Sequence, residues 1–264
     1  MGRITETFER LKQDNRKALA AFITAGDPDL GTTQDLVAAI EESGADLLEL
    51  GVPFSDPLAD GPVIQASAQR ALKSGTTLKK IIAVVREIRQ KSQIPIILMT
   101  SYNPVWVHGP EKFIEDARDA GVDGVIIPDL PPEEAEEFET QSAAKELDLI
   151  YLLAPTSTPQ RVEWIGGKSR GFIYYVSLTG TTGVREGLAA GVAEKMQEIK
   201  KATPLPVLIG FGISNAENAR EAAGLGDGVI VGSAIVRLIG ESTDPAERLQ
   251  KVRELVGQIR QALN

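Results

Sequence analysis

Glu49 stands inside an apolar run, Asp46-Leu47-Leu48-Glu49-Leu50-Gly51, where a carboxylate is costly to bury without compensation. Two readings are open. It is a rim glutamate that reaches solvent or pairs with a cation, or a general acid/base whose pKa is raised by desolvation. Asp60 follows eleven residues later, within the stiff and acidic stretch Pro53-Phe54-Ser55-Asp56-Pro57-Leu58-Ala59-Asp60-Gly61-Pro62. A loop folding back would bring both carboxylates together. Two carboxylates in different surroundings divide the work, one moving protons and one staying ionised. Asp56 and Asp60 also suit plain Asx turns. Further along lie Gly210-Phe211-Gly212-Ile213-Ser214 and Val231-Gly232-Ser233-Ala234, each a glycine turn that opens a helix. Such turns hold phosphate with backbone N–H groups and a helix N-terminus, although they also serve tight packing. The hydroxyl-rich Ser177-Leu178-Thr179-Gly180-Thr181-Thr182-Gly183 adds a third such stretch. Their convergence points to a phosphorylated ligand.

Composition narrows the chemistry. Cys is 0, which excludes disulfides, a thiolate nucleophile and cysteine-based metal sites. His is 1, His108, too few for a two- or three-histidine metal centre. The thirteen lysines fall in helical or peripheral stretches, so no strand-end Schiff-base lysine is evident. What remains is metal-free acid–base chemistry on a phosphorylated substrate. A carbon–carbon cleavage of that kind requires the substrate to carry its own electron sink. Lys+Arg 28 against Asp+Glu 37 leaves a net charge of −9, which argues against nucleic acid and anionic membranes as partners. The polar start MGRITETFERLKQDNR has no apolar leader, and no run reaches a membrane span, so a cytoplasmic address is expected.

Elements that could position these residues recur along the chain. Eight short apolar runs, Leu19–Thr24, Leu47–Val52, Ile94–Met99, Gly124–Pro128, Leu149–Leu153, Gly171–Ser177, Pro206–Gly210 and Gly228–Gly232, read as parallel strands buried on both faces. Helical periodicity fills the gaps at Thr32–Ser43, Leu78–Lys91, Glu111–Ala120, Pro132–Glu146, Val192–Lys201 and Ala216–Ala223. Thr158-Pro159 and Ser214-x-x-Glu217 look like helix starts, the second a capping box. The pattern predicts an α/β fold, a (β/α)8 TIM barrel with an extra N-terminal helix, as one domain over 1–264. A doubly wound open sheet is the alternative, but Thr24-Ala25-Gly26-Asp27-Pro28 is no dinucleotide fingerprint. In a barrel the strand C-terminal ends carry function.

The stretch Leu48–Pro62 resembles the signature of the tryptophan synthase α subunit. The resemblance extends over essentially the whole chain through Phe22–Pro28, Pro128-Asp129-Leu130-Pro131-Pro132-Glu133-Glu134, Gly210–Ser214 and Gly232-Ser233-Ala234-Ile235-Val236. It implies cleavage of indole-3-glycerol phosphate to indole and glyceraldehyde 3-phosphate, the indole ring being the electron sink. By this resemblance Glu49 transfers protons at the ring carbon and the side-chain hydroxyl, and Asp60 accepts from the indole N–H. Phe22, Ile64, Leu98, Ile126, Tyr174, Phe211 and Ile230 would wall the indole, ordinary barrel core being the alternative for each. Backbone groups at Gly183, Gly212, Gly232 and Ser233 would hold phosphate, and Thr182 would support the carboxylates. The resemblance implies no cofactor in this chain, with pyridoxal phosphate in a partner β subunit of an α2β2 complex. A stand-alone lyase would share the same residues and need no partner. Leu178 departs from the Arg of many members, and Thr100-Ser101-Tyr102-Asn103 leaves the alignment after the third strand open by one residue. The Leu178–Leu188 stretch reads as a loop that closes over phosphate and exposes Arg185 to trypsin.

Overall fold

The computed structural model describes residues 2–57, 60–176, 185–210 and 212–264, with 185–190 described by backbone alone. Its strands are β1 (Ala18–Thr24), β2 (Leu47–Gly51), β3 (Ile96–Met99), β4 (Gly124–Ile126), β5 (Asp148–Leu149), β6 (Leu152–Leu153), β7 (Ile173–Val176), β8 (Val207–Gly210) and β9 (Gly228–Val231). Every pairing is parallel, in the order β5-β4-β3-β2-β1-β9-β8-β7-β6. The two ends of that order are consecutive in the chain. The Ile150 N–H donates to Val125 O at 3.0 Å on one side, and Tyr174 N–H donates to Tyr151 O at 3.1 Å on the other. The sequence reading expected one strand at Leu149–Leu153. That strand is instead split, one half pairing each way, and together the halves close an eight-stave barrel.

Around the staves lie α1 (Arg3–Gln13), α2 (Leu30–Glu42), α3 (Pro62–Lys73), α4 (Leu78–Ile88), α5 (Tyr102–His108), α6 (Pro110–Ala120), α7 (Glu136–Ala144), α8 (Pro159–Lys168), α9 (Arg185–Ala202), α10 (Ala216–Leu225), α11 (Ser233–Glu241) and α12 (Pro245–Ala262). Thr158 caps α8 as expected, accepting from Arg161 N–H. The cap of α10 is Asn215, whose side chain accepts from Asn218 N–H at 2.9 Å, and not Ser214. One position decides this, because only the residue with extended backbone directly before the helix aims its oxygen at the open N–H groups. Backbone helix from Arg185 onward also shortens the expected 178–188 loop.

Side chains alternate across each stave. Leu48 and Leu50 of β2 enter the layer between sheet and helices, whereas Leu47 joins the barrel interior with Ile97, Ile126, Tyr174, Leu208 and Ile230. The N-terminal ends of the staves are tied by aspartates. Asp46 accepts from Leu19 N–H (2.9 Å), Asp123 from Ile96 N–H (2.8 Å) and Asp227 from Val207 N–H (2.9 Å). Arg260, Arg89 and Lys200 pair with these three carboxylates in turn. Helix α1 covers this end with Ile4, Phe8 and Leu11, all packed into the interior cluster. The opposite end carries the site.

Candidate active site

Glu49 lies on β2 between Phe22 of β1 and Ile97 of β3. Stave alternation turns it inward with Leu47, and it is 0% exposed. Neither carboxyl oxygen has a hydrogen-bond partner among the described residues. Burial pushes its pKa up to about 8. Tyr174 faces the same interior from β7, and its hydroxyl is held well above its ordinary pKa by burial, with a further contribution from the Glu49 charge. Bare glycines make room for the aromatic rings: a Cβ at Gly210 would sit 2.5 Å from the Tyr174 hydroxyl, and one at Gly51 would sit 2.6 Å from the Phe22 ring.

Above Glu49, on the same face of β2, Gly51 opens into a cavity of about 250 Å³. Phe22, Thr24, Met99 and Pro128 supply its stave-end wall, Ile64 and Ala68 of α3 another, and Pro53, Phe54, Asp56, Pro57 and Asp60 the loop wall. Asp60 is half-buried, and burial raises its pKa. Its position is tied through the backbone, its N–H donating to Pro57 O at 3.2 Å and its carbonyl accepting from Gln65 Nε2 at 2.8 Å. A proton-holding carboxyl beneath the cavity and a second carboxyl in its wall stand in unlike surroundings, the arrangement that divides acid–base roles.

An uncapped helix start adjoins this wall. Helix α11 starts at Ser233 after Gly232 with no side-chain cap, so its first-turn N–H groups are open to a ligand. Gly232 lies against Phe22, with 3.5 Å from its Cβ position to the Phe22 side chain, which sets that helix end beside the cavity wall. Gly212 turns the chain ahead of α10 with φ +78°, a conformation that favours glycine.

Of the residues singled out from sequence, Phe22, Asp60 and Ile64 line the cavity, and Ile126, Tyr174 and Ile230 join Glu49 in the interior. Leu98 does not join them: its side chain packs in the outer layer, and Met99 lines the cavity in its place. The error is one of parity, a single residue within the third strand. Thr182, Gly183 and Phe211, with Leu178, lie outside the described residues. Sequence reasoning missed Thr24, Ala68, Met99 and Pro128; of these, Thr24, Met99 and Pro128 each close an apolar run and so carried a positional signal, though not the side to which each turns, and Ala68 carried none. His108 is engaged elsewhere, its Nε2 2.7 Å from Asp116. No group of three or more metal-binding side chains occurs among the described residues.

Comparison with known proteins agrees with this geometry. A family model described as tryptophan synthase alpha chain matches residues 8–264. The tryptophan synthase alpha chain of Geobacter sulfurreducens is 52% identical over 263 residues, covering 100% of this chain and 99% of that protein. That of Geotalea daltonii is 55% identical over 237 residues, 90% of each. Among solved structures, tryptophan synthase subunit alpha from Legionella pneumophila superposes with a TM-score of 0.92 at 39% identity, over 100% of this chain and 98% of that one. A tryptophan synthase structure from M. tuberculosis, in its aminoacrylate-bound form, superposes with a TM-score of 0.89 at 33% identity over the full length of both chains. With matches of this extent, the chain belongs to the tryptophan synthase alpha chain family.

Proposed function

We propose that Glu49 and Asp60 are the two carboxyl groups with which this chain, acting as one barrel domain over 1–264, cleaves indole-3-glycerol phosphate to indole and glyceraldehyde 3-phosphate. The observation that carries the reading is the Glu49 carboxyl, fully buried, unpartnered among the described residues and with its pKa at about 8. At neutral pH it holds a proton. It gives that proton to the ring carbon that bears the side chain, and positive charge develops on the ring nitrogen. Asp60 accepts a hydrogen bond from the ring N–H and stabilises that charge. The Glu49 carboxylate then takes the proton of the adjacent side-chain hydroxyl, the carbon–carbon bond breaks, and indole and the aldehyde leave with Glu49 reprotonated. The apolar cavity wall of Phe22, Ile64 and Met99 suits the indole, and the open N-terminus of α11 suits the phosphate.

As a tryptophan synthase alpha chain it works in tryptophan biosynthesis with the β subunit, which holds the pyridoxal phosphate and consumes the indole. Its relatives are alpha chains matched over 99% and 90% of their own length, which supports the subunit over a stand-alone lyase. Among the described residues no helix is long and apolar enough to cross a membrane. A cytoplasmic location is part of the same proposal and is checked by fractionation. The catalytic assignment is tested with Glu49→Gln: indole release should fall by ~10²–10⁴-fold while the fold and ligand binding persist. Near-normal indole release by the purified variant removes Glu49 from the role.

A further inference from the structure

Asp60 is followed within two residues by α3, and the position of that helix therefore sets the position of the carboxyl group. Helix α3 is joined along one stripe to the turn after β1. Ser67 Oγ lies 2.6 Å from Thr24 Oγ1, Arg70 donates through Nε and Nη2 to both oxygens of Asp27 at 2.7 Å each, and Ser74 Oγ donates to Gly26 O at 3.2 Å. The spacing 67, 70, 74 is that of a single helix face. The fit is close, since a Cβ at Gly26 would fall 1.9 Å from Thr76 Oγ1. Asp27 is 1% exposed, and the fork-to-fork geometry fixes distance and orientation together. The Arg70 guanidinium also lies against the backbone of α11, where a Cβ at Gly240 would sit 2.6 Å from Nη2. One side chain thus touches the β1 turn, α3 and α11. The Asp46, Asp123 and Asp227 pairs tie the N-terminal ends of the staves; this pair sits at the C-terminal end, beside Thr24, Ile64 and Ala68 of the cavity wall.

We propose that Asp27 and Arg70 are a positioning pair for Asp60, holding α3 against the β1 turn so that the Asp60 carboxyl group stands at a fixed depth in the cavity wall. The inference rests on the reading of Asp60 as a group that touches the substrate. Neither member of the pair lines the cavity. Gly240 lies seven residues from Ser233, about 10 Å along α11 from the proposed phosphate end.

The test uses the full chain in complex with its β subunit. Arg70→Lys keeps the charge and loses the fork, and Asp27→Asn keeps the shape and loses the charge. Each should lower kcat for indole release by about tenfold to a hundredfold, the scale of a misplaced catalytic group. Glycerol phosphate affinity should stay within about threefold of normal. In an Asp60→Asn background Arg70→Lys should cost less than about threefold more, because its effect runs through Asp60. A melting temperature that falls with kcat unchanged makes the pair a structural tie only and overturns the proposal. Losses that multiply in the double variant overturn it as well, while leaving Asp60 in its role. Full turnover by Asp60→Asn alone instead removes the reading of Asp60, and the pair's role with it. Should Arg70→Lys not accumulate as folded protein, Asp27→Asn, which is isosteric, carries the same comparison.

Discussion

A carboxyl group that is fully buried without a hydrogen-bond partner among the described residues is paid for in stability, and the cost depends on pH. In the unfolded chain Glu49 ionises from its ordinary 4.5, whereas in the fold it keeps its proton up to about 8. Across that window the unfolded state loses a proton that the folded state retains, so stability falls as pH rises and the loss is complete above pH 8. The size is on the order of 5 kcal/mol. Glu49→Gln should therefore match the parent in urea unfolding near pH 5 and gain on it steadily toward pH 8; a difference that stays flat with pH would place the ionisation elsewhere. The same value makes the acid form the one available at neutral pH, so kcat/KM should decline as pH passes through about 8. Glu49 was legible from sequence because a carboxylate in an apolar strand is conspicuous. Met99 was not, because Ile96-Ile97-Leu98-Met99 is apolar at every position and a stave buried on both faces carries no alternation to show which side chains turn inward.

Strands and helices divide the molecule into a stabilising end and a reacting end. Asp123 sits at the stabilising end, accepting from Ile96 N–H and pairing with Arg3 and Arg89. Burial lowers the Arg89 pKa to about 10, with Asp123 opposing that shift. Asp123→Asn leaves this guanidinium buried without its counter-charge, and unfolding free energy should drop by about 3–5 kcal/mol with kcat and KM unchanged below the melting range. A change in kcat would show that the two ends are coupled. At the reacting end, Ser233→Asp puts a negative charge at the uncapped start of α11, where an anion is expected. Glycerol phosphate binding should be lost, and an unaltered titration would move the phosphate elsewhere. Seven of the eight staves were legible as uninterrupted runs bounded by glycine, proline or aspartate. The break between β5 and β6 was not, because it reflects pairing with two different neighbours rather than any local residue preference. Helix α3 also escaped sequence reading: its Pro62 start follows a loop dense in proline, and its buried face is made of small residues, Ser67, Ala68 and Ala71.

At the scale of the whole molecule, a chain of net charge −9 receives a substrate that is itself an anion. The cavity adds Asp56, Asp60 and Asp129 to its lining and, among the described residues, no lysine or arginine. A further acidic group, Glu133, Glu134, Glu136 and Glu137, lines a second hollow at the start of α7. On the proposed reading, neutral N–H groups would recognise the phosphate at short range, while the long-range field opposes its approach. Fields of that range are screened once the Debye length falls to about 10 Å, near 0.1 M salt. Added salt therefore removes more repulsion than attraction. For the complex, kcat/KM should rise about twofold to fivefold between about 10 mM and 150 mM sodium chloride. The rise should appear in the encounter rate, with kcat at saturation unchanged. A decline with salt would mean that basic groups close to the phosphate outweigh the rest of the surface.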